Sequence, residues 1–156
     1  FEFEPQDTRE QIERKQSLLR QTVKSRKISL SWHGVNTSIL EAAFARGDRR
    51  LGAVIEEAYR RGCIFDGWEE CFRFDTWMQV MQDLDIDPAF YANRQRAYDE
   101  IMPWDHLDYY ITKEFLVREH QTALQNKTTP NCRQACANCG AMRAGGGVCH
   151  ECHEEC

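Results

Sequence analysis

The residues of this chain best suited to chemistry are cysteines, and they are concentrated near its C-terminus. Six of the eight cysteines lie in the last 25 of its 156 residues: Cys132, Cys136, Cys139, Cys149, Cys152 and Cys156. Residues 127–156 contain no Phe, Tyr, Trp, Leu or Ile, so burial of large apolar side chains cannot order this segment. We therefore expect that a bound metal or crosslinks order it, and that without either it stays disordered.

Two cysteine pairs have the C-x2-C spacing that is typical of zinc sites. Cys136 and Cys139 form the first pair, which Gly140 follows, and Cys149 and Cys152 form the second. Two thiolates from one tight turn can reach a single tetrahedral ion, and glycine permits the backbone reversal that such a turn requires. Four thiolates at about 2.3 Å from the ion would complete a structural zinc site.

The same region also contains an iron–sulfur spacing. Cys132, Cys136 and Cys139 have the C-x3-C-x2-C spacing of the cluster that binds S-adenosylmethionine in radical enzymes. That motif lies early in a parallel barrel, whereas only 17 residues follow Cys139 here. The position argues against the S-adenosylmethionine role and leaves an auxiliary cluster, completed by one of Cys149, Cys152 or Cys156. Zinc and an iron–sulfur cluster both remain open.

The other cysteines and the neighbouring histidines have simpler interpretations. His150 and His153 are expected to be solvated bystanders beside six thiols, and Cys63 and Cys71 to be small hydrophobic residues in apolar surroundings. No apolar run approaches 18 residues and no signal peptide is recognisable, so we expect a cytoplasmic protein without a membrane segment. Disulfides are the alternative to a metal, but they are rare in that reducing compartment.

Charge and motifs give little indication of catalysis. The net charge is −5, and residues 28–126 carry ten Lys or Arg against seventeen acids, which does not indicate a general nucleic-acid binder. There is no glycine-rich phosphate loop, nucleophile elbow or H-E-x-x-H motif. His33 and His106 are conceivable proton shuttles, but a histidine that bonds the backbone at a strand end or a turn explains them more simply.

The pattern of the chain predicts a mainly α protein with one or two short strands. We expect a small helical domain over residues 1–126 and a Cys-rich, metal-dependent tail over residues 127–156. A capping box at Asp7 and Glu10, or at Thr8 and Gln11, opens a helix to about Arg26. The alternation over Lys27–His33 predicts a strand. Further helices are expected over Ile39–Arg46 after a cap at Ser38, from Asp48 to Gly62, over Trp77–Leu84 after a cap at Asp75, and from Asp87-Pro88. A last helix is expected from Thr112 to about Gln125, with Phe115, Leu116 and Ala123 facing inward.

Seven segments together resemble a known family, although each alone says little. They are Glu4-Pro-Gln-Asp-Thr-Arg9, Lys24-Ser-Arg-Lys-Ile-Ser-Leu-Ser-Trp-His33, Ala45-Arg-Gly-Asp-Arg-Arg-Leu-Gly52, Phe65-Asp-Gly-Trp68, Pro103-Trp-Asp-His106, Lys113-Glu-Phe-Leu116 and Thr129-Pro-Asn-Cys-Arg133. In this order they resemble the C-terminal region of radical S-adenosylmethionine proteins that carry an N-terminal cobalamin-binding-type domain. The resemblance covers nearly the whole chain.

The resemblance implies an accessory region rather than a complete enzyme. The catalytic barrel, its S-adenosylmethionine cluster and the cobalamin-type domain would lie upstream in the same polypeptide, as the start at Phe1 rather than Met also leads us to expect. The barrel would be the main partner, and RNA or protein the substrate. The family's chains end shortly after a C-x2-C-Gly-x-Cys stretch, which matches Cys136, Cys139 and Gly140, while Met142 stands where the next cysteine would fall. Either Cys149 replaces it across an insertion or the longer tail binds something else.

Overall fold

The computed structural model describes residues 2–145, and this part of the chain is mainly helical. Its elements are α1 (Arg9–Thr22), α2 (Val35–Ala45), α3 (Leu51–Arg60), α4 (Phe74–Asp83), α5 (Pro88–Ala92), α6 (Lys113–Leu124) and a 3₁₀ turn (Ala141–Ala144). They divide into two compact units. Glu4–Arg96 forms the first unit, with α1 to α5, and the second contains residues 2–3 and 97–145, with α6. The mainly α prediction is confirmed.

Three helix starts, those of α1, α5 and α6, follow capping residues that the sequence predicts. At α1, the Thr8 hydroxyl accepts the backbone N–H of Gln11 while the Gln11 side chain accepts that of Thr8, so the second of the two proposed capping boxes is the correct one. Asp87 and Thr112 likewise accept a backbone N–H in the first turns of α5 and α6. Pro88 occupies the first turn of α5, where its missing N–H costs no helical hydrogen bond.

The core of the first unit is shared by α2, α3, α4 and α5. Its buried members are Leu40, Ala43, Leu51, Val54, Ala58, Cys63, Trp77, Val80, Met81 and Tyr91. Cys63 enters this core because Gly62, at φ 88°, turns the chain back at the end of α3 and lets the Cys63 N–H reach the Ala58 carbonyl at 3.0 Å. Burying one such large apolar side chain contributes about 1.5–3 kcal/mol to folding, so this cluster holds the four helices together.

The predicted strand at Lys27–His33 was wrong. The described residues contain no strand, and this segment is an extended connection between α1 and α2. A strand needs a neighbour for its row of N–H and C=O groups, and alternation along one segment does not supply that neighbour. Ile28 is 57% and Leu30 is 37% exposed, so no apolar face is covered. Trp32 is half-buried beneath the Arg20 guanidinium, which lies 4.8 Å from the ring centroid.

Three helix boundaries also differ from the predictions. α1 ends at Thr22 rather than near Arg26, and none of its residues is buried. α2 begins at Val35 after Gly34, so Ser38 lies inside the helix and not at its cap. α4 begins at Phe74, which places Asp75 in the first turn, where its charge still favours the helix dipole.

The second unit is built around one face of α6. His120 is 5% exposed and its Nδ1 lies 2.8 Å from the hydroxyl of Tyr98, while Phe3 packs edge-on against the Tyr98 ring at 4.8 Å. Phe115 and Leu116 are half-buried as expected, but Ala123 is exposed. None of the helices within residues 2–145 has the length and apolar composition needed to cross a membrane.

Candidate metal centre

The turn Cys136-Ala-Asn-Cys139-Gly140 has the backbone of a metal-binding hook. Asn138 and Gly140 both adopt the left-handed conformation, at φ 55° and 92°, which reverses the chain twice within three residues. The Asn138 N–H points at the Cys136 sulfur at 3.3 Å, and the Ala141 N–H points at the Cys139 sulfur at 3.5 Å. Backbone donors of this kind stabilise negative charge on sulfur and tune the redox potential of a bound metal.

This hook is fixed to the loop that precedes α6. The Cys139 carbonyl accepts the N–H of Thr112 at 3.0 Å, and Thr112 also caps α6 through its hydroxyl, which accepts the Phe115 N–H at 3.2 Å. A Cβ on Gly140 would lie 2.5 Å from the Tyr110 carbonyl oxygen, so only glycine lets the two backbones approach this closely. Thr112 therefore links the start of α6 to the hook.

Two arginines add further attachments. Arg118 of α6 donates a hydrogen bond to the carbonyl of Ala137, inside the hook, and its guanidinium lies 5.3 Å from the Phe115 ring centroid. Arg143, in the 3₁₀ turn after the hook, pairs with Asp108 at 3.3 Å and faces the Tyr110 ring. Polar contacts of these two arginines thus attach the hook and the 3₁₀ turn after it to the rest of the unit, although the hook contains no large apolar residue.

The segment that leads into the hook is also tied to α6. The Thr129 hydroxyl lies 2.7 Å from both carboxylate oxygens of Glu119. Hydrogen bonds to a charged acceptor are among the stronger polar contacts in proteins. The first residues of the predicted tail are therefore ordered by polar attachment to α6, which the absence of apolar residues did not suggest.

The predicted ligands are only partly within the described residues. Cys132 is an exposed free thiol and Cys139 a half-buried free thiol, while Cys136 is disulfide-bonded. Cys149 and Cys152 lie outside the described residues, as do His150, His153 and Cys156. Within residues 2–145, no group of three or more Cys, His, Asp or Glu is positioned to hold a metal ion.

The hook itself fits a thiolate-bound metal. It offers two sulfurs from a single turn, each facing a backbone N–H, and this donor set suits zinc and iron–sulfur clusters alike. A disulfide sulfur is not a thiolate, so Cys136 must be reduced before it can be a ligand. The ligand set Cys132, Cys136, Cys139, Cys149 and Cys152 stays a prediction.

The two histidines considered as proton shuttles lie at the surface. His33 is exposed, with its Nδ1 3.5 Å from a carboxylate oxygen of Glu41, and it lines an open cleft of about 870 Å³ in the first unit. His106 is exposed at the turn that follows Met102. Neither histidine lies in the unit interior that a water-excluding active site requires.

Asp105, beside His106, has a defined structural task. Its carboxylate accepts the N–H of Met102 at 2.9 Å and pairs with Lys113 at 2.8 Å. The hydrogen bond from Lys113 holds the pKa of Asp105 below its usual range. The Lys113 ammonium also bonds the Glu100 carbonyl at 2.6 Å, so this pair connects the start of α6 to the preceding loop.

Sequence reasoning missed His120 and Arg118. His120 lies on the inward face of α6, at the i+4 position from Leu116, and that spacing is the signal that could have placed it in the interior. Arg118 gives no such signal, because its acceptor is a backbone carbonyl 19 residues away.

Comparison with known proteins identifies no relative of this chain. No protein-family model matches it, no curated protein matches it, and no solved structure matches it. The resemblance described above therefore stays a prediction.

Proposed function

We propose that the C-terminal segment is a thiolate metal centre, and that the chain is the accessory region of a radical S-adenosylmethionine enzyme in which the catalytic barrel lies upstream. The observation that supports the metal centre is the hook at Cys136 and Cys139, with one backbone N–H directed at each sulfur. When bound, an iron–sulfur cluster would supply electron transfer, and zinc would supply structural closure alone.

The attachment of the hook to α6 favours an electron-transfer centre, which needs a fixed position, over a metal that only closes the tail. A metal that served only to tie the tail together would not require the contacts of Thr112 and Arg118 with the hook backbone. These contacts hold the hook against a helix whose inward face carries buried His120, which bonds the half-buried Tyr98 of the preceding loop. A centre mounted in this way keeps a fixed position in its unit, as an electron-transfer centre requires.

The accessory role is supported by the seven resembling segments. Two of them, Pro103-Trp-Asp-His106 and Lys113-Glu-Phe-Leu116, are joined by the ion pair of Asp105 and Lys113. In the described residues, His106 is exposed rather than placed for proton transfer. The chain alone is therefore not expected to perform the radical reaction.

The two metals use different ligands, which gives a direct test. An auxiliary iron–sulfur cluster would use Cys132, Cys136 and Cys139 with one further cysteine, whereas zinc would use Cys136, Cys139, Cys149 and Cys152. Cys132→Ser in anaerobically prepared, reduced protein should abolish iron and sulfide retention in the first case. Cys71→Ser, at a half-buried thiol outside the tail, is the matched control and should retain full metal content.

The second candidate is a zinc module for binding a partner protein or RNA. The symmetric spacing of the two C-x2-C pairs favours it. Serine replacement at all four of the proposed zinc ligands should then abolish zinc retention, while Cys132→Ser should leave it unchanged. These ligands are Cys136, Cys139, Cys149 and Cys152. A colourless, iron-free protein that holds stoichiometric zinc would contradict the iron–sulfur proposal, and unchanged zinc retention in the fourfold variant would contradict the zinc module.

A further inference from the structure

An exposed pair of aromatic side chains stands on a tight loop of the first unit. Phe65 is 68% and Trp68 is 59% exposed, and their rings meet edge to face with centroids 5.8 Å apart. Ile64 beside them is 43% exposed. We call residues 64–70 the aromatic loop. Large aromatic side chains that water surrounds are the commonest anchors of protein interfaces.

The aromatic loop is held in a fixed shape. Phe65 adopts φ 62°, a left-handed conformation that bulky residues rarely take, so the surrounding structure must impose it. The Phe65 carbonyl accepts the N–H of Trp68 at 3.0 Å, and the Trp68 carbonyl accepts that of Cys71 at 3.0 Å. Buried Cys63 and half-buried Phe72 fix the two ends of the loop. A loop held in this way loses little conformational entropy on binding.

The charge of the aromatic loop defines the chemistry of its partner. Residues 62–72 contain Asp66, Glu69 and Glu70 and no Lys or Arg, and both glutamates are exposed. A complementary surface therefore carries apolar side chains that receive the two rings, surrounded by cations. An anionic lipid surface or a nucleic acid would repel these carboxylates.

The same unit carries a surface of that chemistry. Residues 14–30 include six Lys or Arg and no acid. We call this stretch the basic patch. Arg14, Lys24, Arg26 and Lys27 are exposed and form no ion pair among the described residues. Four aliphatic residues of the same stretch are exposed: Leu18, Leu19, Ile28 and Leu30. The phosphates of a nucleic acid would pair with the Lys and Arg side chains but would make no contact with these aliphatic side chains.

We propose that the aromatic loop of one copy of this chain docks on the basic patch of another copy. The loop supplies two aromatic anchors and an acidic rim, and the patch supplies an aliphatic surface and a basic rim. One loop docked on one patch leaves a free patch on the first copy and a free loop on the second, and these two surfaces either pair with each other in a closed dimer or bind further copies. This inference does not depend on metal binding.

Sedimentation velocity in reducing buffer tests the proposal, since reduction prevents exposed Cys132 from crosslinking copies. The sedimentation coefficient of the chain should rise between about 10 µM and about 500 µM, the range in which weak interfaces form. It should fall back toward the monomer value in high salt, which screens the charged rims. Phe65→Ser with Trp68→Ser, or Lys24→Glu with Lys27→Glu, should each leave a monomer.

Mixing these two variants separates head-to-tail docking from other association. Each variant retains one intact surface, so an equimolar mixture should form a one-to-one dimer and nothing larger. Ile101→Ser removes an apolar side chain that is 87% exposed outside both surfaces, and it should assemble as the unaltered chain does. If serine at the aromatic loop disturbs folding, Glu69→Lys with Glu70→Lys is the second loop variant and should also be monomeric.

Three results would overturn the proposal. The first is a chain that stays monomeric throughout the concentration range. Co-sedimentation of such a monomer with phosphatidylserine vesicles would show that its exposed surface binds an anionic lipid instead of a second copy. The second is assembly that either double variant leaves unchanged. The third is a mixture of the two variants that stays monomeric although circular dichroism shows both to be folded.

Discussion

Gly140 couples the hook to the loop before α6 through its lack of a side chain. In Gly140→Ala the new Cβ would meet the Tyr110 carbonyl oxygen at 2.5 Å, and alanine would also have to adopt φ 92°. We expect this variant to lose most of its bound metal and to unfold at a lower temperature. Metal content and thermal unfolding measure both effects.

Gly145→Ala is the matched control for the Gly140 prediction. Gly145 also has a positive φ, of 78°, but a Cβ there would meet nothing within 4 Å. Its replacement should cost only the backbone strain, about 1–3 kcal/mol, because φ 78° with ψ 138° is a conformation that residues other than glycine rarely adopt. Equal metal loss in the two variants would show that the contact with Tyr110 is unimportant.

The carboxyl of Asp48 should make the chain less stable in acid. A two-pronged hydrogen bond from Arg50, at 2.6 and 3.0 Å, lowers the pKa of Asp48 from 3.8 to about 2. A carboxyl whose pKa is lower in the folded state stabilises the fold above the unfolded-state value, and that contribution is lost as the pH falls from about 4 through about 2. Both side chains are partly exposed, so the effect is small.

Urea unfolding at several pH values measures this effect when the chain is compared with Asp48→Asn. The free energy of unfolding of the unaltered chain should exceed that of the variant at pH 7, and the difference should shrink below pH about 4. A difference that stays constant down to pH about 2 would show that the ion pair contributes nothing.

At the residue level, the sequence identifies the sulfurs of the candidate site but not the groups that hold them. The spacing of Cys136 and Cys139 followed by Gly140 predicts a tight turn, because a C-x2-C pair and a glycine have local consequences. The contact of Arg118 with the Ala137 carbonyl depends on how the tail folds back onto α6, and no local pattern encodes that return.

At the element level, Thr112 is the junction between α6 and the hook. Thr112→Ala removes the hydroxyl that accepts the Phe115 N–H but keeps the backbone N–H that bonds Cys139. The loss of a helix cap costs about 1 kcal/mol. Hydrogen exchange should show lower protection of the α6 amides together with weaker metal retention.

Thr8→Ala is the corresponding change at α1. Thr8 caps a helix without buried residues, so its loss should raise exchange in α1 alone and leave metal retention unchanged. A Thr112 variant that exchanges and retains metal like the unaltered chain would show that the cap does not support the hook.

The core helix α4 provides the largest expected loss of stability. Met81 is 1% exposed, and Met81→Ala should lower the free energy of unfolding by about 2–5 kcal/mol through lost burial and the cavity left behind. Ile55→Ala, at a side chain that is 51% exposed, should change it by less than about 0.5 kcal/mol. Chemical denaturation compares the two, and similar losses would contradict the assignment of this core.

Helices were predictable where their signals are local, and the strand was not. Thr8, Asp87 and Thr112 each cap a helix through a hydrogen bond that spans three residues or fewer. The Lys27–His33 alternation fails because a strand depends on a partner elsewhere in the chain.

At the scale of the whole chain, the hook of the proposed metal centre belongs to the second unit, together with α6. His120 of α6 contacts Tyr98 in the unit interior, while Arg118 of α6 and its cap Thr112 bond the hook backbone. Metal binding at the hook should therefore stabilise the second unit, because a ligand that binds only the folded state raises its stability. The first unit, with its own core, should be unaffected.

The metal content of the anaerobically purified, reduced chain tests the central proposal most directly. Iron, zinc and acid-labile sulfide would be determined for the unaltered chain and for Cys136→Ser with Cys139→Ser. We predict bound metal at close to one site per chain, with iron and sulfide together for a cluster or zinc alone for the zinc module, and its loss in the double variant. A chain that holds no metal, or a double variant that retains it in full, would contradict the proposed centre.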